Sequence, residues 1–135
     1  RAGGEALAQG SADVIILDDG FQHWAIRRNL DIVMINVLNP FGNLSLIPRG
    51  ILREPVTNLK RASLIVLNDV NLRPRKEVEE LKKSILGIVG NIDFVEACHE
   101  PVFFYRPYSR ERIPADRLQG ERVTSFSGIG SPRCL

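Results

Sequence analysis

The sequence predicts an α/β fold, a mostly parallel sheet with flanking helices. Three observations carry this. The runs DVIILDD (residues 13–19), LDIVMINV (30–37) and ASLIVLND (62–69) are continuously apolar rather than alternating. That is the pattern of strands buried on both faces, as in a parallel sheet. RPRKEVEELKKSILGIVG (73–90) has the period of an amphipathic helix. Finally, the apolar runs are separated by helical or loop crossovers, not by hairpin turns. An all-β fold needs cleaner period-two alternation than this chain has.

The elements follow in order. AGGEALAQG (2–10) reads as a short helix with glycine at both ends. The three apolar runs read as strands, short, rich in β-branched residues and bounded by polar or turn residues. Between the second and third lies a long loop, residues 38–61. It holds Pro40, Pro48, Pro55, Gly42 and Gly50 together with several basic residues. A loop of that length in a compact domain is usually functional or disordered. In the helix, Val78, Leu81, Ile85 and Ile88 or Val89 share one face. Pro74 suits its first turn and Gly90 the position just past its end. IDFVEA (92–97) and PVFFYRP (101–107) read as strands, and ADRLQGERVTSFSGIG (115–130) as a turn followed by a strand.

Composition excludes several classes. A chain of 135 residues, 44% hydrophobic, supports one ordinary core. A net charge of +2 makes no demand for nucleic acid. No apolar run nears the roughly 18 residues of a membrane span. Cys98 and Cys134 form no C-x-x-C spacing and no disulfide framework, which fits a reducing compartment. Cys98 and His99 are adjacent but have no second ligand pair, so the spacing does not suggest zinc. The chain starts at Arg1 without methionine and stops just after a glycine-rich turn. It reads as a piece of a longer protein.

The most informative stretch is VIILDDGFQH (14–23). Asp-Gly is a hairpin signal, but VIIL does not alternate and FQHWAIRRN makes a poor return strand. The chemical reading is different. Open α/β sheets bind ligands at the carboxyl ends of their strands. An apolar run ending in acids resembles a Walker B element, which delivers a carboxylate to nucleotide-bound Mg²⁺. That ion prefers hard oxygen ligands and keeps several waters, so one or two carboxylates suffice. Two adjacent like charges are costly unless a cation sits nearby.

The extension to LDDGFQH resembles the tetraacyldisaccharide 4'-kinase family, the lipid A 4'-kinases of Gram-negative bacteria. Its D-D-G-x-Q-H motif stands here as Asp18, Asp19, Gly20, Phe21, Gln22 and His23. RRNLDIVMINV, FGN…PRGILREP (41–55), LKRASLIVLN and FSGIGSP (126–132) resemble further family segments, in the family's order. The resemblance implies a P-loop NTPase-like kinase fold. Residues 1–90 would be the C-terminal part of the core, and residues 91–135 a strand linker and the start of a smaller α/β domain. It implies transfer of the γ-phosphate of ATP, with Mg²⁺, to the 4' hydroxyl of a tetraacylated glucosamine disaccharide 1-phosphate at the cytoplasmic face of the inner membrane. The product is lipid IV-A.

The chain departs from the family in two ways. No G-x-x-x-x-G-K-[ST] follows Gly3, Gly4 or Gly10, so the phosphate cradle and the catalytic base are expected outside the chain, which is expected to be inactive alone. Ser63 stands where the family usually has aspartate, a surface change.

The resemblance assigns catalytic roles to Asp18, Asp19, Gln22, His23, Arg53 and Glu54, with both aspartates as metal ligands. Arg53 and Arg49 are the candidate phosphate contacts, since arginine offers planar paired donors. A solvated basic loop is the alternative for both. Glu54 is expected to orient Arg53. His23 reads as a structural histidine donating to Asp19, or as a metal ligand or base, and Gln22 as orienting the same carboxylate. GIGSP (128–132) reads equally as an anion nest or a strand-to-helix turn. Arg27 and Arg28 read as a surface pair able to hold an anionic glycolipid near the membrane. Two rival classes are another P-loop ATPase or kinase with a different acceptor, and a non-catalytic α/β module binding a partner through the proline-rich loop.

Overall fold

A computed structural model describes residues 5, 8–10, 12–106, 108–122 and 124. Three parallel strands form one sheet in the order β1-β2-β3: β1 is Ile32–Asn36, β2 Leu64–Asn68 and β3 Asp93–Glu96. Ile32 pairs with Leu64, and Leu64 with Asp93, so the strands run in step from one end. A two-stranded antiparallel sheet follows, β4 (Phe103–Tyr105) with β5 (Arg112–Pro114). The α/β class and the mostly parallel sheet are as the sequence predicts.

Helix α1, Arg75–Val89, crosses from β2 to β3. Pro74 sits just before its first turn, and Gly90 ends it at φ 84, a left-handed value glycine adopts at little cost. Its Val78 and Ile85 are buried against Ile65 and Leu67 of β2 and Ile35 of β1. Leu59, on the 3₁₀ turn Val56–Arg61, completes this core.

Ion pairs fasten α1 to β3. Glu96 accepts from Lys82 and from Arg75. These hydrogen bonds, Lys82 first, hold the Glu96 carboxyl below its ordinary value of 4.5. A depressed carboxylate stabilises the fold above its unfolded value and loses that contribution as pH falls through the folded one. Glu96→Gln is therefore expected to lower the urea midpoint at neutral pH and to flatten its decline below about pH 4.5. Urea titrations of both forms across that range check it.

Two strand expectations need correction. Residues 14–17 form no ladder among the described residues, and Val14 and Ile16 are 75% and 89% exposed. In β1, Ile32 and Met34 are also exposed while Ile35 is buried. The continuous apolar pattern suits two covered faces, but the described residues cover only one, through α1 and Leu59.

The carboxyl ends of the strands are tied together. Asp69 follows β2 in a left-handed conformation, φ 63, and is almost fully buried. Its carboxylate accepts from Asn36 Nδ2 (2.7 Å), Asn68 Nδ2 (3.1 Å) and His99 Nδ1 (2.9 Å). The expected helix at 2–10 is described only in part, with Glu5 and Ala8 helical. FSGIGSP and Cys134 lie outside the described residues.

Candidate functional site

Two loops meet beside β1. The first, residues 18–24, leaves the apolar run in tight turns: His23 N donates to Gly20 O (3.0 Å) and Ile26 N to His23 O (3.2 Å). Asp19 is left-handed at φ 51. Gly20 is buried, and a Cβ there would lie 2.6 Å from the Leu17 side chain. A side chain there would displace that of Leu17 and crowd Leu17 O at 3.1 Å.

The second loop, residues 41–55, folds on itself. Ile47 N donates to Leu52 O (2.9 Å) and Leu52 N to Ser45 O (3.2 Å). Asn43 Nδ2 reaches Arg49 O (3.0 Å) and closes the turn. A Cβ on Gly50 would sit 2.1 Å from Ser45 O and 2.2 Å from Asn43 Oδ1. Gly50→Ala is thus expected to cost about 1–3 kcal/mol of stability through overpacking and to loosen the approach to Arg53. A thermal melt of the variant measures it.

The loops join through charge. Arg53 NH1 donates to both oxygens of Asp19, at 2.7 and 2.5 Å. This bond and the positive charge beside it lower the Asp19 pKa from 3.8, and Arg53 is raised in turn. Both side chains stay more than half exposed, so the pair is accessible and contributes little to stability. Asp18 is exposed next to it.

A second node lies alongside. Glu54 accepts from Gln22 Nε2 (2.8 Å), Asn58 Nδ2 (2.6 Å) and Arg61 NH2 (2.8 Å). The Arg61 guanidinium is stacked 4.2 Å from the Phe21 ring centroid and 4.7 Å from that of Trp24. A cleft of about 1740 Å³ opens between residues 14–17 and β1, and its lining includes Asp18, Asp19 and Arg53.

The structure brings Asp18, Asp19, Gln22, His23, Arg53 and Glu54 into one neighbourhood, but several expected contacts are corrected. Gln22 bonds Glu54 across to the second loop, not Asp19 beside it. Glu54 makes no hydrogen bond to Arg53; its oxygens are taken up by Gln22, Asn58 and Arg61. The His23 ring makes no hydrogen bond among the described residues and acts on Asp19 only as a nearby charge. Arg49 is exposed and contributes a backbone acceptor. Arg28 is not a free surface cation: it donates to Asp31 Oδ1 and His23 O, both at 2.6 Å. Arg27 is exposed. Ser63 lies at the surface, where its Oγ accepts from Asp31 N (3.2 Å).

Sequence reasoning missed Arg61, Asn58 and Trp24. The signal was there: Asn58 and Arg61 follow Glu54 by four and seven residues, a helical spacing, and Phe21 and Trp24 are three apart.

The donor chemistry suits a hard cation. Among the described residues no three His, Cys, Asp or Glu side chains converge as a metal cage. Asp18 and Asp19 offer carboxylate oxygens only, a set that fits Mg²⁺ sharing its shell with waters and phosphates.

A family model, tetraacyldisaccharide-1-P 4'-kinase, matches residues 1–135. The chain is 39% identical over 132 residues to a tetraacyldisaccharide 4'-kinase of Halothermothrix orenii, covering 91% of this chain and 34% of that protein. It is 38% identical to the one of Elusimicrobium minutum, covering 95% and 34%. With a probable mitochondrial tetraacyldisaccharide 4'-kinase of Arabidopsis thaliana it shares 37% identity, covering 87% and 30%. The chain thus spans about a third of the length of these relatives. No solved structure matches it.

Proposed function

Because the chain belongs to the tetraacyldisaccharide-1-P 4'-kinase family, we propose that it supplies the metal side and part of the phosphate side of an ATP-dependent lipid A 4'-kinase. The full-length protein transfers a phosphoryl group to the 4' hydroxyl of a tetraacylated glucosamine disaccharide 1-phosphate. The observation that carries this reading is the Asp19–Arg53 pair, a carboxylate and a guanidinium from two loops held 2.5 Å apart and open to solvent.

Phosphoryl transfer is mostly positioning and charge stabilisation. Asp19, with Asp18, would hold Mg²⁺, which when bound supplies charge neutralisation on the β and γ phosphates. Arg53 exchanges its carboxylate partner for a phosphate oxygen, an exchange that costs little for a solvated pair. Gln22 and Glu54 act behind this pair by fixing the two loops. His23 contributes positive charge near Asp19 when protonated. Arg49, exposed on the same loop, is a second phosphate contact. The nucleotide-binding core runs past residue 90 through β3, which pairs with β2, and the β4–β5 hairpin opens the smaller unit that follows.

No described helix is long and apolar enough to cross a membrane. A glycolipid acceptor places the work at the membrane surface, on the cytoplasmic face of the inner membrane where ATP is available. Exposed Arg27 is suited to the anionic headgroup there.

Incubating the full-length protein with γ-labelled ATP, Mg²⁺ and the disaccharide 1-phosphate tests the reading. Label is expected in the glycolipid, at the 4' oxygen. Release of inorganic phosphate alone, unchanged by the acceptor, would favour a different ATPase and reject it.

A further inference from the structure

Building on that kinase reading, we propose that Arg61 is a positioning residue that sets Asp19 against Arg53 by clamping the two loops together. Arg61 touches neither of them. It sits on the 3₁₀ turn Val56–Arg61, whose Leu59 is anchored in the core. From this fixed base it reaches both loops at once. Its guanidinium carbon lies over both the Phe21 ring and the Trp24 ring, and NH2 donates to Phe21 O (3.3 Å). The same NH2 bonds both oxygens of Glu54, at 3.0 and 2.8 Å. Phe21 is two residues from Asp19, and Glu54 adjoins Arg53. The clamp therefore grips each loop one or two residues from the group it presents.

Gln22 strengthens the link by donating across from the first loop to Glu54 on the second. Asn58 adds a donor from the same turn as Arg61. Glu54 is thus a shared acceptor for residues of three segments, and Arg61 is the cation opposite it. A guanidinium plane is needed here, because it stacks on two rings while directing N–H groups in its own plane. Lysine has the charge without the plane. Arg61 Nε is buried and has no partner among the described residues. Leaving a buried donor unmet is costly, so the stacked orientation is imposed by the rings and by Glu54 and not by a full set of hydrogen bonds.

A purely structural Arg61 would support the fold and leave the chemistry alone. A positioning Arg61 acts on turnover through Glu54, and the two roles separate in a double-mutant cycle. In the full-length protein, Arg61→Ala is expected to lower kcat about 10- to 100-fold, the usual scale for a residue that orients a group in contact with substrate or metal. The KM for the glycolipid stays unchanged. Glu54→Gln should cost a similar factor, and the double variant no more than the worse single one. Arg61→Lys should stay impaired. Wild-type kcat in Arg61→Ala, or losses that multiply in the double variant, would overturn the proposal. If Arg61→Ala does not fold, Arg61→Lys and Trp24→Leu take its place in the cycle with the same criteria.

A second readout does not depend on kinase activity. Trp24 is the only tryptophan in the 135-residue chain, and its ring lies against Arg61. In the full-length protein its contribution to the emission, read as the difference from Trp24→Phe, should shift on Glu54→Gln when Arg61 is present and stay put when residue 61 is alanine. Emission that ignores Glu54→Gln in both backgrounds overturns the clamp. A full-length protein that transfers no phosphate but shows this coupling rejects the kinase reading and keeps the clamp.

Discussion

Asp19→Asn in the full-length protein is expected to lower turnover by about 10²- to 10³-fold, the scale on which a preorganised charge-stabilising group acts, while leaving the fold intact. The structure separates these two effects. Asp19 is exposed, and its pair with Arg53 lies in solvent. Its backbone is left-handed, a conformation that asparagine tolerates better than most residues. The substitution removes the charge and keeps the shape. The Arg53 hydrogen bond lowers the Asp19 pKa from 3.8, so the wild-type carboxylate is ionised throughout the neutral range and its charge is what the substitution removes. Steady-state turnover beside a thermal melt checks both halves. A melt that collapses with turnover would make Asp19 a structural residue.

Arg53→Ala is the second large effect. Its guanidinium is the cation that the 41–55 loop presents to Asp19, and the loop's internal bonds and Gly50 fix its direction. Turnover is expected to fall by about 10²-fold or more. Arg53→Lys should recover part of this, since a point charge still meets a phosphate but without paired planar donors. The comparison is made at saturating Mg²⁺ and ATP, so that weakened binding is not mistaken for slower chemistry.

The sheet strands and α1 were legible because their patterns are local. A run such as LIVLN has few alternatives, and VEELKKSIL has one apolar face. Pro74 and Gly90 mark the helix ends by backbone geometry that no neighbour needs to supply. The 14–17 run shows where such reading stops. Four apolar residues state that the segment is suited to burial, and only the packing of other elements decides whether it is covered. Among the described residues it is not.

The site was legible at a coarser level. The residue types at Asp18 and Asp19, and the family resemblance at Arg53 and Glu54, pointed to one neighbourhood, and the structure places them together. The partners within it were not readable. Whether Gln22 turns to Asp19 or to Glu54 depends on how close the second loop comes. Whether Glu54 holds Arg53 or Arg61 depends on where the 3₁₀ turn aims its last residue. Arg61 itself looked like one more basic residue of a loop, since stacking on Phe21 and Trp24 joins positions 37 to 40 apart in the chain.

The most direct test of the central claim is Mn²⁺ binding to the full-length protein, followed by electron paramagnetic resonance without nucleotide. The ion replaces Mg²⁺ as the probe. If Asp19 is the cation ligand and Arg53 its resting counter-charge, Arg53→Ala should bind Mn²⁺ several-fold more tightly than wild type, because a competing cation has been removed from the carboxylate. Asp19→Asn should bind it more weakly. Equal affinity in all three proteins would contradict the account and leave Asp19–Arg53 an ordinary surface ion pair.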